Sequence, residues 1–256
     1  MSTSTQTPQQ APQRAPEQRS QETAVNSSSR DDLRPMKPIP IGWIALAAVG
    51  IFIAHYLVFI YAPMEQSMRS VQRIFYFHLP SAWLCYVGFI MCAWHSLRYL
   101  QTQKSRYDAL ALASAEVGLT FGVIVLTTGP LWARAAWGVW WKWEPRLTTM
   151  AVLFMIFACY WVIRSFGGSG SDVRRFSSIL AIFGAPCIFL VHVAVTKWRG
   201  DHPNNIKLEP EMRIVLYSCL LIFIIIYTLI LRLRYRVHLN ERRASALSLR
   251  LSRLGA

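Results

Sequence analysis

Residues 109–149 read ALALASAEVGLTFGVIVLTTGPLWARAAWGVWWKWEPRLTT. The first twenty are almost wholly apolar, and at a helical rise of about 1.5 Å per residue they cross roughly 30 Å of hydrocarbon. The rest gathers five of the chain's 10 Trp (Trp132, Trp137, Trp140, Trp141, Trp143). Trp137, Trp140, Trp141 and Glu144 stand at i, i+3, i+4 and i+7, which predicts one helical face carrying three indoles and a carboxylate. Pro145 disfavours helix at the residue before it and suits the first turn of a following helix. The stretch therefore reads as a short amphipathic segment lying at a membrane surface and leading into the next membrane helix. Trp is enriched at interfaces as an aromatic belt in any case. So dense a cluster points further, to a flat platform for a large planar ligand.

Five more apolar runs flank this one, at about 41–62, 77–97, 147–166, 176–196 and 214–232, each long enough to span a bilayer. A 54% hydrophobic composition and a mean hydropathy of +0.30 exclude an ordinary soluble domain. The expected fold is all-α: a polytopic integral membrane protein with six transmembrane helices and an outer-face tryptophan-rich segment. The net charge of +14 raises nucleic-acid binding. The Lys and Arg sit in short connections and near the C-terminus, so positive-inside topology accounts for most of them and no nucleic-acid partner is expected. Six crossings put both termini on one side. Sixteen Lys and Arg flank that side and nine the other, which makes the termini cytoplasmic.

Residues 1–38, rich in Ser, Thr, Gln, Pro and Arg, read as a disordered cytoplasmic tail without the apolar core of a signal peptide. Residues 39–232 form the membrane domain, with its tryptophan-rich loop at 129–147, and 233–256 a basic cytoplasmic tail. All five Cys lie in apolar runs and neither CxxC nor CxxCH occurs. No disulfide framework or thiol-redox site is expected, and the chain is not itself a c-type cytochrome.

Three segments share the outer face: 63–76, 129–146 and 197–213. Met64, Met68, Val71 and Phe75 fall at helical spacing and predict a second surface helix. His78 and His202 flank the tryptophan stretch where membrane helices meet this face. Neutral imidazole binds iron well, and two axial His with stacked aromatics would hold a heme. Zinc would want three or four ligands, which this pair does not supply. His55 and His192, inside the bilayer, read as hydrogen-bonded packing residues, and His95 and His238 as solvated. Glu116 in the third run is costly if ionised in lipid; it needs an internal partner that the sequence does not name.

WGVWWKWEPRLT at 137–148 resembles the WWD signature of heme-handling membrane proteins. Within that group the chain is similar to the cytochrome c maturation protein C family, also called heme exporter protein C (CcmC). FYFHLPSAW at 75–83 looks like that family's first histidine loop, and VHVAVTKWRGDHPN at 191–204 like its second, with His202 at the ligand position. The resemblance covers roughly residues 40–232. Glu144, followed by Pro145, stands where the family's signature usually carries Asp, and Lys197-Trp198 and Gly200-Asp201 replace paired Trp and Thr-Leu before the second His.

The resemblance implies a protein of the bacterial inner membrane that holds heme b in transit at the outer face, with His78 and His202 as axial iron ligands. It implies delivery to a small membrane-tethered heme chaperone, the E component, beside ABC-type permease and ATPase subunits, the B and A components. Trp137, Trp140, Trp141, Trp143 and Glu144 then line the heme and the chaperone dock, and Arg73, Arg134 and Arg146 are the outer cations placed to meet the propionates. The chain would not be an enzyme. Two alternatives are a cytochrome c heme synthetase-like protein and a b-type electron-transfer subunit built on His55 and His192.

Overall fold

The computed structural model describes residues 38–168, 170–197 and 208–254. The expected disordered tail, apart from Pro38, and His202 with the rest of residues 198–207 lie outside the described residues. Among the described residues the chain is helical, with no β-strand. α1 spans Ile41–Tyr56 and runs on through a π-helical turn, Leu57–Tyr61. α2 is Phe75–Thr102, preceded by a 3-10 turn at Ser70–Ile74. α3 is Ser105–Trp137, α4 Pro145–Phe166, α5 Ser171–Gly184, α6 Cys187–Lys197 and α7 Pro210–Leu254. Six spans are long and apolar enough to cross a membrane, α5 and α6 together supplying one. Their outward faces carry exposed large apolar side chains such as Phe52, Ile60, Trp94, Met155 and Phe183. Lipid is the solvent that suits such a surface, because each helix satisfies its own backbone.

Small residues set the packing. A Cβ on Gly88 of α2 would stand 2.6 Å from Gly118 Cα of α3, so these backbones touch, as membrane helices do where small residues face each other. Ala109, Ala111, Ala113 and Ala115 are all buried along α3. Above this contact the core fills with Phe89, stacked on Phe157 at 4.0 Å between ring centroids, and with Val117, Phe121, Leu153 and Tyr160. A second apolar cluster joins Ala54 and Val58 to Tyr76 and to Val215, Leu216 and Cys219 of α7.

Three differences from the sequence reading have local causes. The fifth run is broken rather than continuous: Pro186 follows Ala185, and a proline lacks the N–H that a helix interior needs. The first outer segment is not a surface helix from Met64. Residues 62–69 form a turn around Glu65, whose carboxylate accepts hydrogen bonds from the Ser67 hydroxyl and, at 2.5 Å, from the Met68 N–H. These bonds hold the Glu65 carboxyl below its ordinary pKa. Helix begins only at Ser70. Finally, the basic stretch beyond residue 232 continues α7 as helix to Leu254.

That continuation is tied down by acid–base contacts with α3. Glu116 accepts two bonds from Arg234, both 2.7 Å, and lies 2.7 Å from His238 Nε2. Asp108, 1% exposed at its side chain, accepts from Arg164 of α4 at 2.9 Å and from Arg242 of α7. Arg242 also donates to the Ser105 carbonyl at 2.7 Å. Glu116 thus has the partners its depth demands. His238 is buried rather than solvated, and His95 is half-buried and stacks on Tyr107 at 6.3 Å.

Candidate functional site

The tryptophan stretch occupies the end of the bundle opposite the Asp108 and Glu116 contacts. Its first half belongs to the membrane helix: α3 continues through Trp132 to Trp137. There the helix stops, because Gly138 takes φ 76°, the left-handed conformation that glycine reaches at little cost. Residues 138–144 are not helical. The predicted face of Trp137, Trp140, Trp141 and Glu144 therefore does not form. Pro145 opens α4 as expected, with Glu144 extended at the N-cap (φ −81°, ψ 156°).

The loop is instead held by aromatic and cationic contacts. Trp132 meets Trp137 edge to face at 5.2 Å, and Trp141 meets Trp143 the same way at 5.8 Å. Lys142 Nζ lies 5.1 Å over the Trp137 ring. Arg134 lies 5.9 Å over Trp140 and donates to the Gly138 carbonyl, closing the turn. Trp140 and Trp143 remain exposed, at 57% and 82%, whereas Glu144 is buried. The Trp141 indole nitrogen is buried without a hydrogen-bond partner among the described residues. Two large indoles are therefore presented outward on a cation-braced loop, a surface suited to stacking a planar ligand or a partner.

His78 sits in the first turn of α2, half-buried, with Nδ1 2.9 Å from the Thr128 hydroxyl of α3. Arg146, in the first turn of α4, is close enough to act electrostatically on both His78 and Tyr86. Arg73 lies over the Phe59 ring at 5.6 Å. An open cleft of about 420 Å3 separates Ser67, Met68 and Val71 from Trp132, Ala135 and Ala136. Of the nine predicted site residues that are described, Arg134 joins Trp140 and Trp141 joins Trp143, while the contact of His78 is Thr128, which was not a candidate. Thr128 and the cleft-lining Trp132 were not among the candidates. Thr128 carries no sequence signal, being an ordinary membrane-helix threonine until His78 is placed beside it.

The alternative pair for an electron-transfer heme is not supported. His55 Nδ1 donates to the Ile51 carbonyl at 2.8 Å and its ring packs near Phe77, whereas His192 donates to Ile188 at 3.1 Å and packs near Tyr86. Phe77 and Tyr86 are nine positions apart on α2, about 13 Å of helix, so the two imidazoles do not form an axial pair. Among the described residues no group of three or more His, Cys, Asp or Glu could hold a metal ion.

The family described as Heme exporter protein C, CcmC, matches residues 30–250. The chain belongs to the heme exporter protein C family. The Heme exporter protein C of Paracoccus denitrificans (strain Pd 1222) is 25% identical over 219 residues, covering 82% of this chain and 91% of the relative. That of Escherichia coli (strain K12) is 26% identical over 213 residues, 79% and 86% of the two chains. A ccmC-like mitochondrial protein of Marchantia polymorpha, named provisionally for cytochrome c biosynthesis, is 30% identical over 163 residues, 63% and 67%. For this heme exporter protein C family member, the match spans every described membrane helix and both histidine segments.

Proposed function

We propose that the chain serves heme export and cytochrome c maturation as a heme-holding membrane component, not as an enzyme. Family membership supports the heme role, and six apolar spans support a multi-pass membrane protein. The observation that carries the site is the placement at one end of the bundle of a half-buried His78, Arg146 in the first turn of α4 and the exposed indoles of a braced loop.

In this reading heme is the cargo, bound as heme b, with His78 and His202 as axial ligands. Trp137, Trp140, Trp141 and Trp143 edge the porphyrin and the docking surface. Glu144, buried at the N-cap of α4, belongs to the same heme-facing set. Arg146, Arg134 and Arg73, the last seated over Phe59, pair with the propionates. Both termini are cytoplasmic and the tryptophan end faces the outer side of the inner membrane, following the Lys and Arg asymmetry. Loaded heme passes to a small heme chaperone, with ABC-type permease and ATPase subunits as further partners. The membrane domain is residues 39–232.

The test is the visible absorption spectrum of detergent-solubilised wild type, His78→Ala and His202→Ala. A six-coordinate, bis-histidine Soret band that is lost or weakened in both variants is the expected result. Heme content indifferent to both substitutions overturns the reading.

A further inference from the structure

His78 does not merely lie near Thr128; the hydrogens can be counted. The Thr128 hydroxyl lies 2.6 Å from the Ile124 carbonyl, one turn back on its own helix, and 2.9 Å from His78 Nδ1. A carbonyl only accepts, and a hydroxyl has one hydrogen to give. An oxygen–oxygen approach of 2.6 Å without a shared proton is repulsive, so the hydroxyl proton goes to Ile124. The bond to His78 must then run the other way, with Nδ1–H donating to Thr128 Oγ1. His78 is thereby held as the Nδ1-protonated tautomer, with the lone pair on Nε2, which has no hydrogen-bond partner among the described residues. The ring's Cε1 edge lies against α3, 3.4 Å from where a Cβ on Gly129 would stand.

We infer that Thr128 is a positioning residue for heme: it fixes both the tautomer and the ring plane of His78 so that the lone pair stays on Nε2, free to be the iron ligand. The inference rests on the proposal that His78 binds heme iron. Metal-bound histidines commonly donate their second ring N–H to an oxygen acceptor, which orients the ring and raises its basicity, and loss of that partner costs about 10–100-fold in affinity. Here the acceptor is a hydroxyl polarised by its own bond to a helix carbonyl. The relay Ile124 carbonyl, Thr128 hydroxyl, His78 imidazole links the backbone of α3 to the ligand on α2.

The experiment compares wild type, Thr128→Val, Thr128→Ser and Thr127→Val, with His78→Ala as the reference for loss of the ligand. The readouts are heme retained through detergent purification and the reduction potential of the heme that remains. Val keeps the shape and removes the acceptor. Thr128→Val should retain about one tenth of the heme or less under competition with free imidazole, and the remaining heme should have a higher potential, because a less basic ligand stabilises ferric iron less. Thr128→Ser should restore both, since its hydroxyl can make the same two bonds. Thr127→Val, whose exposed hydroxyl bonds only to Val123 and Ile124 of its own helix, should behave as wild type.

If Thr128→Val loses all heme or does not survive purification, Thr128→Ser decides alone: wild-type retention and potential support the inference, and loss of both refutes it. Lower occupancy in Thr128→Val with an unmoved potential, or a Ser variant as poor as Val, shows a packing role only and overturns it. If His78→Ala keeps wild-type heme, the ligand proposal itself has failed. If His78→Ala loses heme while Thr128→Val does not, the ligand stands and the positioning role falls.

Discussion

Asp108→Asn isolates a deeply buried charge contact. Asp108 and Arg164 have side-chain exposures of 1% and 7%, and their charged atoms are 2.9 Å apart. Arg164 Nε and Nη1 are buried without partners, so Asp108 is what compensates this cation. Arg242, 24% exposed, can turn to water when the carboxylate is neutralised. Arg164 cannot. Removing one member of a buried pair leaves an uncompensated charge and costs about 3–5 kcal/mol; at about 2–4 °C per kcal/mol the melting midpoint should fall by about 6–20 °C. Removing both charges, as in Asp108→Leu with Arg164→Leu, eliminates the stranded cation and should recover most of the loss. The assay is thermal unfolding of detergent-solubilised protein followed with a thiol-reactive fluorophore, because Cys85, Cys92 and Cys219 are buried free thiols that label on unfolding. A midpoint for Asp108→Asn within about 2 °C of wild type, or a double variant melting no higher than the single, would refute the reasoning.

The same assay checks three further expectations. Glu116→Gln weakens the charged bonds to Arg234 and His238; with Arg234 41% exposed and water able to substitute, the loss should be about 1–2 kcal/mol, smaller than for Asp108→Asn. Gly88→Ala forces a Cβ against the Gly118 backbone and should cost about 1–3 kcal/mol, whereas Gly42→Ala, with nothing within 4 Å, should be neutral or slightly stabilising. Gly138→Ala meets no atom within 4 Å but must hold φ 76°, so its cost is that of left-handed backbone alone, about 1–2 kcal/mol. A shift in the emission of the exposed loop tryptophans should accompany it, and an unchanged midpoint and spectrum would argue against the turn.

The membrane spans were legible because length and apolarity suffice to specify them: an unbroken run near twenty residues has few other uses. The helix ends depend on single residues. The i, i+3, i+4, i+7 pattern from Trp137 to Glu144 is a true periodicity that never becomes a helix, since Gly138 interrupts it one residue after it begins. A pattern count weighs all positions alike, whereas one left-handed residue ends the ladder of backbone bonds. Pro186 acts in the same way on the fifth run. The C-terminal helix was hidden for the opposite reason. Its Arg-rich sequence looks like a solvated tail, yet Arg is a good helix former, and the acids that hold it lie on α3.

The polar contacts expose a more general asymmetry. Inside a bilayer the cost of a charged or hydrogen-bonding side chain is visible from sequence, because any polar residue in an apolar run demands a partner. Which partner is not visible, since any facing helix can supply it. Glu116 announced its need and was answered by His238, 122 positions away; His78 suggested a ligand and was answered by Thr128, 50 positions away. Threonine makes the second case harder still. It satisfies itself by bonding to its own helix, so it signals no need at all, and Thr128 differs from the exposed Thr127 in being half-buried beside His78. The residues that aim a ligand on a membrane helix should therefore be sought among self-satisfied hydroxyls facing it, and not among the polar residues whose cost makes them conspicuous.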